Sequence, residues 1–279
     1  MTAAASQLFI AQPSISLAIS EMEEYYGVKL FDRISRKLYL TDNGRRALQY
    51  ARHIIDLLDE MEQGVRDGDA IGRLKVGTSI TIGTYLLPGY IKRLKQQYPA
   101  LKVEASIANS GTIEQQILDN DIDVGIIEGV AHSPFILSES FAGDRLVFIC
   151  PAGHEFAGKT LEELAEVRNQ DFILREKGSA GREIFDGILA AQELNVRPIW
   201  QSASNQVILQ GVKAGLGISI LPYFLVRQDI REGELAEFRI KDLALNRKYS
   251  VIYHKNKFLP RSARTLMELC KEGNGADRI

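Results

Sequence analysis

The stretch from Gln12 to Arg33, QPSISLAISEMEEYYGVKLFDR, constrains this chain most, because it reads as a short amphipathic helix that stops abruptly and runs into a basic hairpin. Pro13 suits the first helical position, where its missing N–H costs nothing, and Ile15, Ala18, Ile19 and Met22 fall on one face. The opposite face offers Ser14, Ser16, Leu17 and Ser20. Gly27, after Tyr25 and Tyr26, sits where a left-handed cap ends a helix. Leu30, Phe31, Leu38 and Leu40 then predict two short strands around a basic tip from Arg33 to Lys37. Upstream, Ala4, Ala5, Leu8 and Phe9 predict another short apolar helix face, separated from Pro13 by a helix-turn-helix connection.

These motifs resemble the winged helix-turn-helix of LysR-type transcriptional regulators. In that family a Ser/Thr-Gln-Pro-x-x-Ser run opens the recognition helix, and here it reads Ala11-Gln12-Pro13-Ser14-Ile15-Ser16. The Leu-Glu pair and the Gly that close the helix are Met22-Glu23 and Gly27. Leu30-Phe31-Asp32-Arg33 matches the start of the wing, and Leu40-Thr41-Asp42-Asn43-Gly44 its return. The resemblance implies contact with double-stranded DNA through Gln12, Pro13, Ser14, Ser16 and Leu17 in the major groove, and through Arg33, Arg36 and Lys37 at the phosphates and the neighbouring minor groove. Family members carry a further helix before this point. A head without its first helix is therefore expected, with a small-molecule binding protein of impaired DNA binding as the alternative reading.

Net charge gives no independent sign of nucleic-acid binding, since the formal value is −2. The location of charge does. Lys29, Arg33, Arg36, Lys37, Arg45, Arg46 and Arg52 are opposed within their segment only by Asp32 and Asp42, which predicts a local, salt-sensitive footprint.

Thr41 is a good N-cap, and a long helix is expected from there to about Gly68. Along it Ala47, Ala51, Ile54, Leu58, Met61 and Val65 alternate spacings of four and three, a heptad seam that predicts a homodimer or homotetramer. Packing against the chain's own domains is the alternative. From Arg73 onward strands alternate with helices, so the fold class is α/β. Buried-strand patterns recur at Leu74–Gly77, Val103–Ile107, Ile122–Ile127, Arg145–Ile149, Phe172–Leu174, Ile199–Trp200, Ile218–Ile220 and Tyr249–Tyr253. Helical patterns recur at Leu86–Gln97, Ile113–Leu118, Arg182–Glu193, Gln206–Ala214 and Arg261–Lys271.

In this half the family resemblance rests on Gly178-Ser179-Ala180-Gly181-Arg182, on Val212 through Pro222, and on Asp121 through Ile126. It implies two α/β subdomains of periplasmic-binding-protein type. The expected organisation is a partial winged helix-turn-helix at 1–44, a linker and dimerisation helix at 45–69, and an effector-binding domain at 70–279. Subdomain I would take 70–143 and 245–279, and subdomain II 144–244.

Hydroxyl-bearing residues lie where strands hand over to helices: Thr78, Ser79 and Thr81; Ser179 with Arg182; Ser204 with Asn205. Helix N-termini leave N–H groups unpaired and carry partial positive charge, so converging ends would hold a small anionic effector. Arg182 would add a charged bond unless it pairs with a nearby carboxylate. Glu128 and Gly129 would read a donor from the opposite wall. Ordinary helix capping is the competing explanation for the hydroxyls.

Other chemistries find little purchase. Cys150 and Cys270 form no CxxC or Cys/His spacing, and the histidines follow no ligand spacing, so neither a metal site nor a cofactor is expected. Cys150 reads as a packed thiol, and no activated nucleophile or carboxylate pair marks an enzyme. Gly215-Leu216-Gly217 lacks the third glycine of a dinucleotide fingerprint. No apolar run is long enough to span a bilayer and no export signal opens the chain, which predicts a cytoplasmic protein without a membrane partner.

Overall fold

The computed structural model describes residues 2–34, 37–67 and 72–272. The chain divides into two compact units, Met1–Gln63 and Gly64–Ile279.

The first unit holds α1 (Thr2–Gln7), α2 (Gln12–Tyr26), β1 (Phe31–Ile34), β2 (Lys37–Leu40) and the start of α3 (Asp42–Asp67). Leu8 and Phe9, expected on the inner face of the first helix, instead follow its end and are exposed, with Phe9 in the left-handed region at φ 55°. Gly27 ends α2 at φ 66°, as the sequence indicates. β1 and β2 pair antiparallel from Phe31 opposite Leu40 to Ile34 opposite Lys37.

One carboxylate ties α2 to the wing. Glu23 accepts the backbone N–H of Leu30 at 2.8 Å and of Phe31 at 3.1 Å, and the Lys29 Nζ at 2.6 Å. At the far side of the wing, Thr41 Oγ1 donates to the Lys29 carbonyl at 2.6 Å and accepts the Gly44 N–H at 2.9 Å, capping α3. A side chain at Gly44 would strike the Leu30 carbonyl oxygen at 2.0 Å, so the wing and α3 meet only with glycine there. Glu23 and Gly44 thus explain two of the motif positions as scaffold.

The second unit is built on one continuous sheet. β3 (Arg73–Ser79), β4 (Lys102–Ala108), β5 (Val124–Glu128), β6 (Ile136–Pro151), β7 (Thr160–Leu161), β11 (Leu235–Ile240) and β12 (Asn246–His254) run in the order β4-β3-β5-β12-β6-β11-β7, and β10 (Ser219–Pro222) also pairs with β6. β8 (Phe172–Arg175) and β9 (Pro198–Ser202) form a parallel pair, joined to the strand at Ile218 through a bridge with Phe172.

Two lobes result. In the first, α5 (Leu87–Gln97) and α10 (Arg261–Glu272) cover one sheet face with a core including Leu74, Val76, Leu94, Val251 and Leu266, while α6 (Ser110–Leu118) covers the other through Ile113 and Ile117. In the second, α7 (Ala180–Ala191) packs Phe185 onto Phe148 and Phe172, and α8 (Asn205–Lys213) and α9 (Tyr223–Arg231) bury Ile208, Val212 and Val226 on the opposite face. This is the layered solution for strands buried on both sides. The short α4 (Ile80–Tyr85), α9 and β11 were not marked by the sequence pattern. β6 is also longer than expected, because its first half alternates exposed and half-buried residues and carries no apolar run.

The lobes are joined where β6 runs through Gly143–Arg145 and the returning chain passes Leu245–Arg247. Arg247 is buried at this crossing. It grips Asp144 through Nε at 2.6 Å and Nη2 at 2.7 Å, and donates from Nη1 to Glu128 Oε2 at 2.8 Å. Burial alone would lower the pKa of the guanidinium, but the two carboxylates outweigh it and hold the charge in place.

Removing one member of such a buried set leaves uncompensated charge, so Arg247→Met should lower stability by about 3–5 kcal/mol. A urea midpoint unchanged from the parent chain would show that the crossing is held by something else. For Glu23, the Lys29 hydrogen bond and then the Leu30 N–H hold the carboxyl below its usual pKa. The sign follows: the tie is present above the ordinary glutamate pKa and is lost as pH falls through the lowered value. Amide protection at Leu30 and Phe31 should therefore persist at mildly acidic pH and fall away below it, while Glu23→Gln removes that pH dependence.

Candidate effector cleft and nucleic-acid interface

α2 has no buried residue. Gln12, Pro13, Ser14 and Leu17 are exposed and Ser16 is half-buried, with Gln12 Nε2 donating to Ser16 Oγ at 2.9 Å. Arg33 is exposed on β1. Arg36 lies outside the described residues, as does the Lys37 side chain. In the basic segment Lys29 is partly committed to Glu23, and Arg45 to Asp42 and the Leu40 carbonyl.

Along α3, Ala47 and Ala51 are half-buried, whereas Ile54, Leu58 and Met61 are exposed. The side chain of Val65 lies outside what is described.

Between the lobes of the second unit lies a cavity of about 490 Å³. Ile80, Thr84 and Tyr85 form its first-lobe wall, and Ser204, Asn205 and Leu225 stand on the other side. Tyr85 meets Phe224 edge-on across it at 5.0 Å between centroids. Of the sequence-predicted residues, Ser204 and Asn205 line this cavity directly. Ser79 and Thr81 bracket its wall residue Ile80 and are themselves buried.

Burial makes the hydrogen-bond state of these groups informative. Ser79 Oγ, Thr81 Oγ1 and Glu128 Oε1 are buried without a hydrogen-bond partner. Ser79 and Glu128 end β3 and β5, adjacent parallel strands whose carboxyl ends are the usual place for a ligand in α/β sheets. Native interiors rarely leave such atoms unmatched, since each carries a desolvation cost of about 1–3 kcal/mol. Thr78, by contrast, donates to the Ser79 carbonyl at 2.6 Å.

The second-lobe hydroxyls are committed locally. Ser179 Oγ accepts the Arg182 N–H and Ser204 Oγ accepts the Val207 N–H, both at 3.4 Å, so each caps its helix. Arg182 takes the internal alternative: it donates to Asp186 at 2.7 Å and to the Arg175 carbonyl at 3.1 Å, so its guanidinium is committed within the second lobe. The guanidinium beside Asn205 belongs instead to Arg175, whose Nη1 donates to Asn205 Oδ1 at 2.8 Å. Its position at the end of a buried strand is legible in the sequence, but an arginine there carries no hydroxyl and does not share the strand-end pattern.

The lobes meet closely beside the cleft. Gly111 N–H donates to the Gly178 carbonyl at 3.0 Å, and a side chain at Gly129 would meet Ala180 Cβ at 2.9 Å. Gly129 therefore acts as a close-approach point, and Glu128, through Oε2, is tied to Arg247. The His132 ring bridges Glu114 of α6 and Glu183 of α7, with 3.3 Å to each. Both cysteines are buried, which pushes the thiols up to about 11 for Cys150 and about 12 for Cys270 and removes thiolate reactivity. Gly215–Gly217 turns from the end of α8 into β10, without a phosphate cradle. Among the described residues no helix is long and apolar enough to cross a membrane.

Comparison with known proteins agrees with both units. The family described as "LysR substrate binding domain" matches residues 67–275, and "Bacterial regulatory helix-turn-helix protein, lysR family" matches residues 1–45. The chain is 34% identical over 275 residues to the HTH-type transcriptional regulator YeiE of Escherichia coli, covering 98% of this chain and 92% of that one. It is 30% identical over 254 residues to the HTH-type transcriptional regulator CysL of Bacillus subtilis, covering 90% and 85%. Among solved structures, the regulatory domain of CcmR from Synechocystis in complex with 2-PG shares the fold, with a TM-score of 0.65, 24% identity, and coverage of 72% of this chain and 96% of that one. The helix-turn-helix motif, the two-lobed α/β unit and these matches together make the chain a member of the LysR family of bacterial transcriptional regulators.

Proposed function

We infer that this chain is a ligand-responsive regulator that binds double-stranded DNA through residues 1–44, pairs through a helix at 45–69, and senses a small anionic metabolite between the lobes of residues 70–279. Subdomain I takes 70–143 and 245–279, and subdomain II takes 144–244. The observation that carries the reading is the set of buried, unmatched polar atoms on Ser79 and Thr81, which flank the cavity-lining Ile80, and on Glu128 at the end of the neighbouring strand. A ligand with oxygen acceptors and a donor would satisfy them, with Ser204, Asn205 and the N-termini of α7 and α8 completing the site. The regulatory domain of CcmR, similar in fold, is solved in complex with 2-PG.

The mechanism is a population shift. Ligand favours one arrangement of the lobes, and only its differential affinity for the two arrangements moves the equilibrium. In the DNA-reading unit, Gln12, Pro13, Ser14, Ser16 and Leu17 approach base edges and phosphates, and Arg33, Arg36 and Lys37 hold the backbone at the wing. The exposed Ile54, Leu58 and Met61 support α3 as a pairing helix, with Ala47, Ala51 and Val65 on the same seam. Exposed Ile107 on β4, and Ile199 and Trp200 on β9, offer further apolar surface for a homodimer or homotetramer.

A titration of the purified chain against the DNA upstream of its own gene, at several salt concentrations, tests the reading. Specific binding with a steep salt dependence is expected, and Arg33→Ala should reduce the slope of log K against log salt by about 1. Weak binding indifferent to sequence would favour a ligand-binding protein without operator recognition. In sedimentation at micromolar concentration, replacing Ile54 and Leu58 by Glu should convert the oligomer to smaller species; an unaltered sedimentation coefficient would remove α3 from the interface.

A further inference from the structure

Beside the cavity-lining Asn205 stands a guanidinium already bound to an oxyanion supplied by the chain itself. Arg175 ends β8, and its side chain is 9% exposed. Nη1 is fixed by Asn205 at 2.8 Å, and the backbone carbonyl of Arg175 is fixed by Arg182 at 3.1 Å. The remaining edge of the fork, Nε and Nη2, donates to the two carboxylate oxygens of Glu176 at 2.9 and 3.0 Å. This is the side-on, two-bond geometry with which arginine holds any carboxylate, sulfate or phosphate.

The two partners are unequally held. Arg175 is anchored at both its guanidinium and its backbone, whereas the Glu176 side chain is 23% exposed and sits on the loop leading into α7. The same loop lies against the other lobe, where a side chain at Gly178 would meet Asn109, the N-cap of α6, at 3.2 Å. Glu176 is therefore the member able to swing out. Burial would raise its carboxyl pKa, but the hydrogen bonds and the charge of Arg175 outweigh burial and lower it.

We propose that Arg175 anchors the oxyanion group of the effector, and that Glu176 is a built-in competitor that occupies the fork until such a group displaces it. The proposal rests on the cleft reading above and adds the group recognised and the means of regulation. A buried guanidinium must keep an anionic partner, so an empty site needs a surrogate, and the adjacent residue supplies it without loop-closure cost. Glu176 also sits two residues before Gly178, whose carbonyl accepts the Gly111 N–H of the other lobe at 3.0 Å, so exchange at the fork takes place beside a contact between lobes. The recognised chemistry is a small metabolite bearing a carboxylate, sulfate or phosphate, bound through a planar pair of hydrogen bonds.

The test uses the full chain and two simple probes, sulfate and inorganic phosphate, titrated calorimetrically at constant ionic strength in chloride. Glu176→Gln removes the competing charge while keeping volume and hydrogen bonding. It should bind sulfate or phosphate roughly ten-fold more tightly than the parent, the difference expected between a charge-assisted and a neutral competitor. Adding Arg175→Lys to that variant should abolish the gain, because an ammonium cannot offer the two-bond edge. Equal anion affinity in the parent and in Glu176→Gln, including no binding by either, would overturn the proposal, and this arm does not depend on any Arg175 variant folding. Ser79→Ala and Thr81→Ala separate the two claims. If they weaken anion binding while the Glu176 and Arg175 variants leave it unchanged, the cleft still binds ligand and only the anchoring role of Arg175 falls.

Discussion

The buried guanidinium of Arg247 is the interaction on which the second unit depends. It sits at the crossing of β6 and β12 and holds Asp144 on one strand and Glu128 at the end of another. A charge so buried persists only while its carboxylates are in place, so the register of three strands is coupled to one ion set. That set holds the end of β5, which pairs with β3, and β3 runs straight into the cavity wall at Ile80. The lobe crossing and the ligand site are thus neighbours by construction. Any change in lobe orientation is felt at Glu128, whose second oxygen is the unmatched one.

A similar economy runs through the first unit. Glu23 takes two backbone N–H groups and a lysine, and Thr41 with Gly44 closes the other side of the wing. α2 itself buries nothing, so its position depends on these polar ties more than on apolar packing. The ties leave the polar face of the helix exposed, as a groove-reading surface requires. They also leave Phe9, Leu17 and Tyr25 in solvent.

Much of this was legible in the sequence wherever local chemistry decides structure. The proline at the start of α2, the glycine at its end and the threonine before α3 each act through their own backbone, and the structure uses them so. The buried strands β3, β5 and β8 were readable as apolar runs for the same reason. The first half of β6 was not, because its alternation of exposed and half-buried residues carries no run, and α9 was hidden behind Pro222 at the close of a strand. At the site, Arg182 had Asp186 four residues on, a spacing that already favoured an internal pair. Ser179 and Ser204 serve as caps, which the residue type alone could not separate from ligand contact. Asp144 and Arg247 escaped because their partners come from other strands, and Arg175 because the Asn205 that fixes it comes from another helix; no periodicity encodes such contacts.

The two buried arginines illustrate different uses of the same physics. Arg247 is satisfied by carboxylates from separate strands, each nearly as buried as itself, so exchanging a partner would mean dismantling the crossing. Arg175 is satisfied by the residue that follows it, on a loop, with one carboxylate partly in solvent. Exchange there leaves the strands untouched. A ligand taking the fork must outcompete an intramolecular carboxylate, so its observed affinity is lower than its contacts alone would give. The difference selects for ligands that make further bonds, and the unmatched hydroxyls of Ser79 and Thr81 are placed beside the same cavity to make them. Simple anions then bind weakly, and a metabolite that reaches both walls gains the differential affinity that shifts the lobes.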